Sequence, residues 1–354
     1  MHNHSLSKFN KIISRFKKAR VLVIGDIMLD RFIWGTVSRI SPEAPVPVVW
    51  SKSESFMPGG AANVANNIRV LGAKAYMCGV VGDDEEGRAI ISELVKNKID
   101  SKGIVVDKTR PTVNKTRIIA HHQQVVRIDK ESDDLVSYSI VKKILKFARE
   151  RIDDIDAIII EDYGKGLIVP QLIKELISIA KKHKKIIMVD PKENHLNFYK
   201  GITAMTPNRK EAEITSGIVI KNENSLKKAG RKLLQHLRAE AVLVTLGEDG
   251  MALFRKKGDF VHIHTVAQEV YDVSGAGDTV IATFALSKAS GADMVEAAHI
   301  SNIAAGIVVG KLGIATCNAK ELESHLSQIY KYGPKRKKVT YPSDSIFKDH
   351  KRSR

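Results

Sequence analysis

Apolar residues fall in short continuous runs along this chain, separated by longer stretches with helical spacing. The runs at 21–24, 76–81, 157–160, 186–189 and 241–245 are almost wholly apolar. That is the pattern of strands buried on both faces of a sheet. Between and after them, 61–71, 86–97, 137–149, 170–182 and 295–309 predict helices, and further helices start near Asn208 and Val280. Strand, helix, strand at this spacing predicts an α/β fold: a doubly wound, mostly parallel sheet flanked by helices. Residues 251–254 and 260–263 predict a hairpin around Lys257-Gly258-Asp259.

Residues 32–57 break the alternation. Pro42, Pro45, Pro47 and Pro58 exclude a helix, and Val46, Val48 and Val49 favour strand. A second such part lies near 104–129, where Lys115, Arg117, Arg127 and Asp129 alternate with apolar residues. Together these predict a small β lid on a main domain spanning 21–330. Ahead of it, Phe9, Ile12, Ile13 and Phe16 recur at helical spacing in a basic helix over 1–20. Such a helix lies on a membrane surface or packs on the domain that follows, and packing is the expectation. Residues 331–354 carry many charges and few apolar residues, and read as a disordered tail.

Charge changes the picture less than its total suggests. The net charge is +17 over 354 residues. Residues 1–20 hold six Lys and Arg without an acid, and 331–354 hold nine against two acids, which leaves +4 on the body. Solvated basic ends are the plain reading of such runs. Aromatic residues make up 6% and are not interleaved with the basic ends, so stacking on nucleic-acid bases is not expected. No run of 18 apolar residues and no secretory core is present, which predicts no membrane association and a cytoplasmic protein. Cys78 and Cys317 form no metal or redox spacing, as expected in a reducing compartment.

The chemistry centres on Tyr271-Asp272-Val273-Ser274-Gly275-Ala276-Gly277-Asp278-Thr279. Two glycines flank a small residue and a helical run begins at once. Such a start aims backbone N–H groups at one spot and carries about half a positive charge, so it binds anions. Asp278 would repel that anion unless it has work there, and accepting a proton from an attacking hydroxyl is such work. The sequence contains neither a Walker phosphate loop nor a dinucleotide fingerprint. Earlier, Asp30 offers acceptors to sugar hydroxyls, Asp26 reads equally as a turn residue, and Asn63 after Gly59-Gly60 offers both a donor and an acceptor. Asn208 and Glu211 share one helical face. They are either a capping box or a polar pair holding Mg2+ through water. The turn after Thr245, at Gly247, has a backbone suited to lining a nucleotide.

The stretch from Asp272 to Asp278 resembles the C-terminal signature of the ribokinase-like (phosphofructokinase-B) carbohydrate kinases. Gly25-Asp26, Gly59-Gly60 with Asn63, and Asn208 with Glu211 fall in that family's order, over roughly 20–330. The resemblance implies the ribokinase-like fold, ATP and Mg2+, with Asp278 as catalytic base and Gly275, Ala276 and Gly277 as its anion hole. It implies sugar binding by Asp30, Gly59, Gly60 and Asn63. It places nucleotide and metal at Asn208, Arg209, Lys210, Glu211, Thr245, Gly247, Asn302 and Lys192. It leaves a monovalent-cation site near Asp272 open, and implies lids paired in a homodimer. A narrower resemblance rests on residues 25–31, 38–48, 162–166 and 304–313. These are similar to the heptose-7-phosphate 1-kinases of ADP-heptose synthesis, which feeds lipopolysaccharide or another surface glycan. No adenylyltransferase-like segment follows, so a stand-alone kinase is expected. A sugar-phosphate substrate calls for lid cations, and Arg39, Lys115, Arg117 and Arg127 are the candidates. The same cations could instead pair with Asp129 or Glu43 at the surface.

Two rival functions remain. A related kinase for another sugar or nucleoside would share every motif outside the lid. A catalytically silent binder of sugar phosphate or nucleic acid would need no base, and the intact Asp278 speaks against it. Salt-dependent DNA binding by full-length and tail-deleted protein separates the last class from the others.

Overall fold

The computed structural model describes residues 3–332 apart from 122, 257, 259, 268 and 269. Most of the tail expected to be disordered, 333–354, and two residues of the expected hairpin turn therefore lie outside the described residues. In chain order the first half comprises α1 (Asn3–Arg15), β1 (Arg20–Gly25), β2 (Ile27–Ile40), β3 (Pro47–Gly60), α2 (Ala61–Val70), β4 (Lys74–Gly82), α3 (Glu85–Lys96), β5 (Asp100–Asp107), β6 (Val113–Ala120), β7 (Gln123–Lys130) and α4 (Tyr138–Arg151). There follow β8 (Ala157–Glu161), α5 (Pro170–Lys182), β9 (Ile186–Asp190), β10 (Ala204–Met205), α6 (Arg209–Ser216), α7 (Glu223–Leu237) and β11 (Ala241–Thr245). The chain continues through β12 (Met251–Arg255), β13 (Phe260–Ile263), α8 (Ala276–Ala289), α9 (Met294–Val309) and α10 (Ala319–Tyr332).

Nine strands form one sheet in the order β13-β12-β11-β10-β9-β8-β1-β4-β5, parallel from β11 to β5 and antiparallel at the β12–β13 edge. The continuous apolar runs are explained by cores on both faces. Val21 and Val23 of β1 point into a core built with α1, α2, α8 and α9, while Leu22 and Ile24 point into one built with α4, α5 and α7. The apolar stripe of α1 is spent in the first core: Phe9, Ile12, Ile13 and Phe16 are buried. The packing reading of this helix is the one realised. Among the described residues no helix is long and apolar enough to cross a membrane.

The lid is a four-stranded sheet in the order β3-β2-β6-β7. Its central pair, β2 and β6, is parallel, and the outer pairs are antiparallel. Its limits differ from the expected ones. Residues 104–107 complete β5 in the main sheet, so the second lid part begins at Val113. The first begins at Ile27, which places Asp30 in the lid. The cause is local: β1 turns at Asp26, whose backbone N–H donates to the Glu161 carbonyl, and the chain leaves the sheet there. Helices α7 and α10 add to what the apolar pattern announced. In α7, Leu226, Ala229, Leu233 and Leu237 form the buried stripe.

Candidate active site

Parallel strands end together, and their carboxyl ends are where ligands lie in such sheets. Here three neighbouring strands end in acids. Glu161 closes β8 and sits directly across from Asp190, which closes β9; Asp26 follows β1. Carboxylate oxygens of Glu161, Asp190 and Asp278 lie within 4.8 Å of one another. Glu161 is fully buried, and apart from the neighbouring Asp190 carboxyl its oxygens meet no hydrogen-bond partner among the described residues. Burial, with Asp190 and Asp278 nearby, pushes its carboxyl well above the usual range. Asp190 accepts a bond from the Thr206 hydroxyl at 2.7 Å. Burial and then the Glu211 charge push it up to about 8. Three acids so placed repel one another unless protons or a cation sit among them, and the donor set is all oxygen, as Mg2+ prefers.

Asp278 lies in the first turn of α8 and is 5% exposed. Asn63 Nδ2 donates to its Oδ2 at 2.6 Å and the Tyr163 hydroxyl to its Oδ1 at 3.0 Å. Burial raises it to about 6, and these two donors pull the other way. Gly275 enters the helix with φ 75°, and a Cβ there would come within 2.9 Å of Asn63 Nδ2, so glycine serves the turn and the Asn63 contact together. The Ala276 N–H closes that turn on the Val273 carbonyl at 3.2 Å. Among the described residues, the Gly275 and Gly277 N–H groups have no acceptor, and Gly277 lies beside the Asp190 carboxylate. Of the three N–H groups expected to form an anion hole, two are thus open and the third is engaged.

Behind Asn63 the polar chain continues. Asn67 Nδ2 donates to Asn63 Oδ1 at 3.3 Å, and Thr279 Oγ1 donates to Asn67 Oδ1 at 3.0 Å. Both ends of the Asn63 amide are therefore partnered inside the protein. Asp30 is buried in an ion pair with Arg117. A Cβ at Gly59 would collide with the Asp30 carboxylate, so the glycine leaves Asp30 its place. Gly60 follows, with φ 54°. Asp26 is buried, and its side chain bonds the backbone of another loop, not that of its own turn as the structural reading expected. Its Oδ2 accepts the Tyr163 and Lys165 N–H groups at 2.9 and 3.1 Å and so fixes the loop that carries Tyr163.

Asn208 caps α6. Its Oδ1 accepts the Glu211 N–H at 2.9 Å and Glu211 Oε2 accepts the Asn208 N–H at 2.8 Å, a complete capping box. Burial raises the Glu211 carboxyl above its usual range. Arg209 pairs with Asp249 at 2.6 Å, Lys192 pairs with Glu193 at 3.3 Å, and Lys210 is exposed. Thr245 ends β11 and donates its N–H to the Pro207 carbonyl at 2.9 Å; Gly247 follows with open space around it. Asn302 on α9 is buried and donates to the His264 carbonyl at 2.8 Å.

Register places the lid cations. Asp30, Lys115 and Asp129 form one cross-strand row, and Phe32, Arg117 and Arg127 the next but one. All lie on the face that carries Asp30, whose charge is felt at Asp278. Lys115 bonds Asp129 and Glu131 at 3.3 Å each, and Arg127 bonds Asp129 at 2.9 Å, which is the surface pairing weighed for them. Arg39 lies near the exposed lid tip, with no ion pair among the described residues. The structure thus gathers Asp278, Asn63, Asp30 and Arg117 and leaves Arg39 apart. Glu161, Asp190 and Tyr163 carried no assignment in the sequence. Their signal was present, acids closing apolar runs, but only strand order brings them together.

Comparison with known proteins adds the family. A profile described as pfkB family carbohydrate kinase matches residues 18–321. Bifunctional protein HldE of Desulfatibacillum aliphaticivorans is 45% identical over 326 residues, covering 92% of this chain and 66% of that protein. HldE of Helicobacter pylori is 45% identical over 311 residues, covering 88% and 67%. The chain spans about two thirds of the length of the curated relatives it matches. Among solved structures, Arabidopsis thaliana ribokinase complexed with ribose and ATP matches with TM-score 0.69 at 19% identity, over 87% of this chain and 98% of that one. Escherichia coli phosphofructokinase-2 in complex with potassium matches with TM-score 0.71 at 18% identity, over 88% and 99%. These two fix the fold as ribokinase-like.

Proposed function

The chain belongs to the pfkB family of carbohydrate kinases, and we propose that this sugar kinase uses ATP to phosphorylate O1 of D-glycero-β-D-manno-heptose 7-phosphate, giving the 1,7-bisphosphate. The observation that carries the reading is Asp278, a buried carboxylate at a helix start, held from two sides beside open backbone N–H groups. Asp278 accepts the proton of the O1 hydroxyl as the oxygen attacks the γ-phosphorus in line, and the bond from that phosphorus to the β–γ bridging oxygen breaks to release ADP. The Gly275 and Gly277 N–H groups take up charge on the phosphoryl group in transfer. Tyr163 and Asn63 orient the base.

The residues fit Mg2+. Glu161 and Asp190 would hold it, the first because its buried oxygens have no partner beyond the Asp190 carboxyl, with Glu211 next to Asp190. Bound there, the ion would neutralise charge on the phosphates of ATP. Asn208 and Glu211 remain candidates to reach it through water. The potassium complex of Escherichia coli phosphofructokinase-2 is consistent with a monovalent cation in this fold, and its place near Asp272 rests on the family resemblance. The heptose is read from the similarity of residues 25–31, 38–48, 162–166 and 304–313 to heptose-7-phosphate 1-kinases. Arg117 and Arg127 supply charge for a sugar phosphate on the Asp30 face of the lid. Location in the cytoplasm and pairing into a homodimer belong to the same reading.

The test is ATP-dependent phosphorylation of heptose 7-phosphate against fructose 6-phosphate, ribose and adenosine. Selective formation of a 1,7-bisphosphate is expected. Turnover of another sugar alone would discard the heptose and keep the base. Asp278→Asn should lower kcat by about 10²–10⁴-fold, the usual share of a general base, with an unchanged melting temperature. Ordinary turnover in that variant would remove Asp278 from the mechanism.

A further inference from the structure

The far end of the main sheet, opposite the acids, carries a basic hollow that the kinase reading leaves unused. Its volume is about 580 Å³ and it is lined by seven cations and one acid, Glu240. The walls are helix ends and strand starts. Lys181 and Lys184 stand at the end of α5, Arg238 directly follows α7, and Lys288 lies in the last turn of α8. Lys200 precedes β10, and Lys256 follows β12.

Cations at helix C-termini have an ordinary explanation, since each helix end carries about half a negative charge. Three helix ends account for roughly 1.5 charges by that measure. The hollow holds far more. Lys185 already donates to the Asp153 carbonyl at 3.3 Å. Among the described residues, none of Lys181, Lys184, Lys200, Arg238, Lys256 and Lys288 lies in an ion pair with a carboxylate. Elsewhere on this molecule, lysines and arginines beside acids do pair, as at Lys115 and Arg127. Six unneutralised cations around one concavity repel one another, and an anion bound there relieves that repulsion.

The hollow is also firm. Lys184 and Arg238 hold left-handed backbone, φ 54° and 52°, where two helices stop. The Gly201 N–H bonds the Leu237 carbonyl at 2.6 Å and the Glu240 N–H bonds the Thr203 carbonyl at 2.9 Å. These bonds tie the loop after β9 to the end of α7 and the start of β11. Ile186, Ile187 and Ile202 provide an apolar part of the lining. The volume falls within the ~300–1,000 Å³ of small-molecule sites.

We propose that this hollow binds a small molecule bearing two or more phosphate groups, at a site separate from the kinase centre. The proposal does not rest on the kinase reading. Strand β9 runs from Ile186 in the hollow to Asp190 in the acid cluster, four steps of roughly 3.3 Å each. The hollow and the acid cluster thus lie at opposite ends of the same strand.

The experiment uses the full chain and the variant Lys200→Gln/Lys256→Gln/Lys288→Gln. None of these residues belongs to the catalytic centre. Binding of inorganic tripolyphosphate, ADP and fructose 1,6-bisphosphate is measured by calorimetry, with orthophosphate as a one-phosphate control. Lysine modification by an amine-reactive reagent is mapped with and without each probe. Lys184, Lys200, Lys256 and Lys288 should be protected by at least one multiply phosphorylated probe. The variant should lose that class of site, by about tenfold or more in Kd, and keep its kinase turnover and melting temperature. Tighter binding of ADP than of the sugar bisphosphate would assign the isoleucines to a base; equal binding would assign recognition to the phosphates alone. Absence of protection, or equal protection by orthophosphate, would overturn the proposal. Turnover is read separately, so loss of the hollow's ligand and loss of the kinase reading are distinct results.

Discussion

If Asp278 is the base we propose, Tyr163 is the neighbour whose removal tests it most directly. Its hydroxyl donates to Asp278 Oδ1 at 3.0 Å, and burial together with Asp278 keeps the phenol protonated far above its usual range. A hydrogen bond to a charged group contributes about 1.5–3 kcal/mol. Tyr163→Phe should therefore cost kcat about 10- to 150-fold, with KM for ATP nearly unchanged; steady-state kinetics with the preferred sugar read this directly. An unchanged kcat would reduce Tyr163 to a packing residue. Asp278 itself was legible in the sequence, because an acid inside an anion-binding turn is costly without a use. Tyr163, Glu161 and Asp190 were not. Each closes or follows an apolar run, but adjacency of β1, β8 and β9 depends on strand order, which no local pattern encodes. For Asn63 the residue was legible and its partners were not, since Asp278 and Asn67 reach it from far along the chain.

At the scale of elements, the site is held by α2 against α8. The polar seam between them is Asn63, Asn67 and Thr279, all buried. Thr279→Val keeps the shape and leaves Asn67 Oδ1 without its 3.0 Å donor. An unsatisfied buried acceptor costs about 1–3 kcal/mol, so thermal denaturation should show a melting temperature lower by a few degrees, while turnover at low temperature persists. On the other side, the loop after β9 is tied to β8 by His195, whose Nδ1 lies 2.7 Å from Asp162 Oδ2. That bond raises the His195 pKa above 6.5, against its partial burial. The native state thus favours the protonated ring. Its contribution is fully present below the unfolded pKa near 6.5 and fades as pH rises through the raised native value. In urea denaturation, the stability gap between wild type and His195→Gln should be wider at pH 5.5 than at pH 8.5. A gap of equal width at both would mean that His195 acts by shape alone. Elements with continuous or cleanly periodic apolar runs were legible. The lid limits were not, because residues 104–107 read as strand in either sheet and only pairing with β4 decides.

For the molecule as a whole, the lid poses a problem of surface. One face of its sheet carries Asp30, Lys115, Arg117 and Arg127, with Asp30 on the side of Asp278. The opposite face, by the same register, carries Phe56, Arg31, Thr116 and Ile128 in one row and Glu54, Ile33, Ile118 and Val126 in the other. Phe56, Val126 and Ile128 are 51%, 45% and 55% exposed, and every residue of β7 is exposed. A thin sheet with an uncovered apolar face is poorly stabilised alone, and an exposed apolar patch of this kind marks an interaction surface. A second lid of the same shape, brought by a two-fold axis, would cover it with an identical surface, which agrees with the homodimer implied by the family resemblance. Ile128→Glu puts a charge on the edge strand of that face, opposite Thr116 on the neighbouring strand and on the side away from Asp30. Light scattering at micromolar concentration should give twice the chain mass for the wild type and the single mass for the variant. Because Ile128 faces away from the catalytic carboxylate, any fall in turnover should follow the dimer's dissociation on dilution. A wild type that is monomeric under those conditions, or a variant that keeps the doubled mass, would leave the exposed face without this partner.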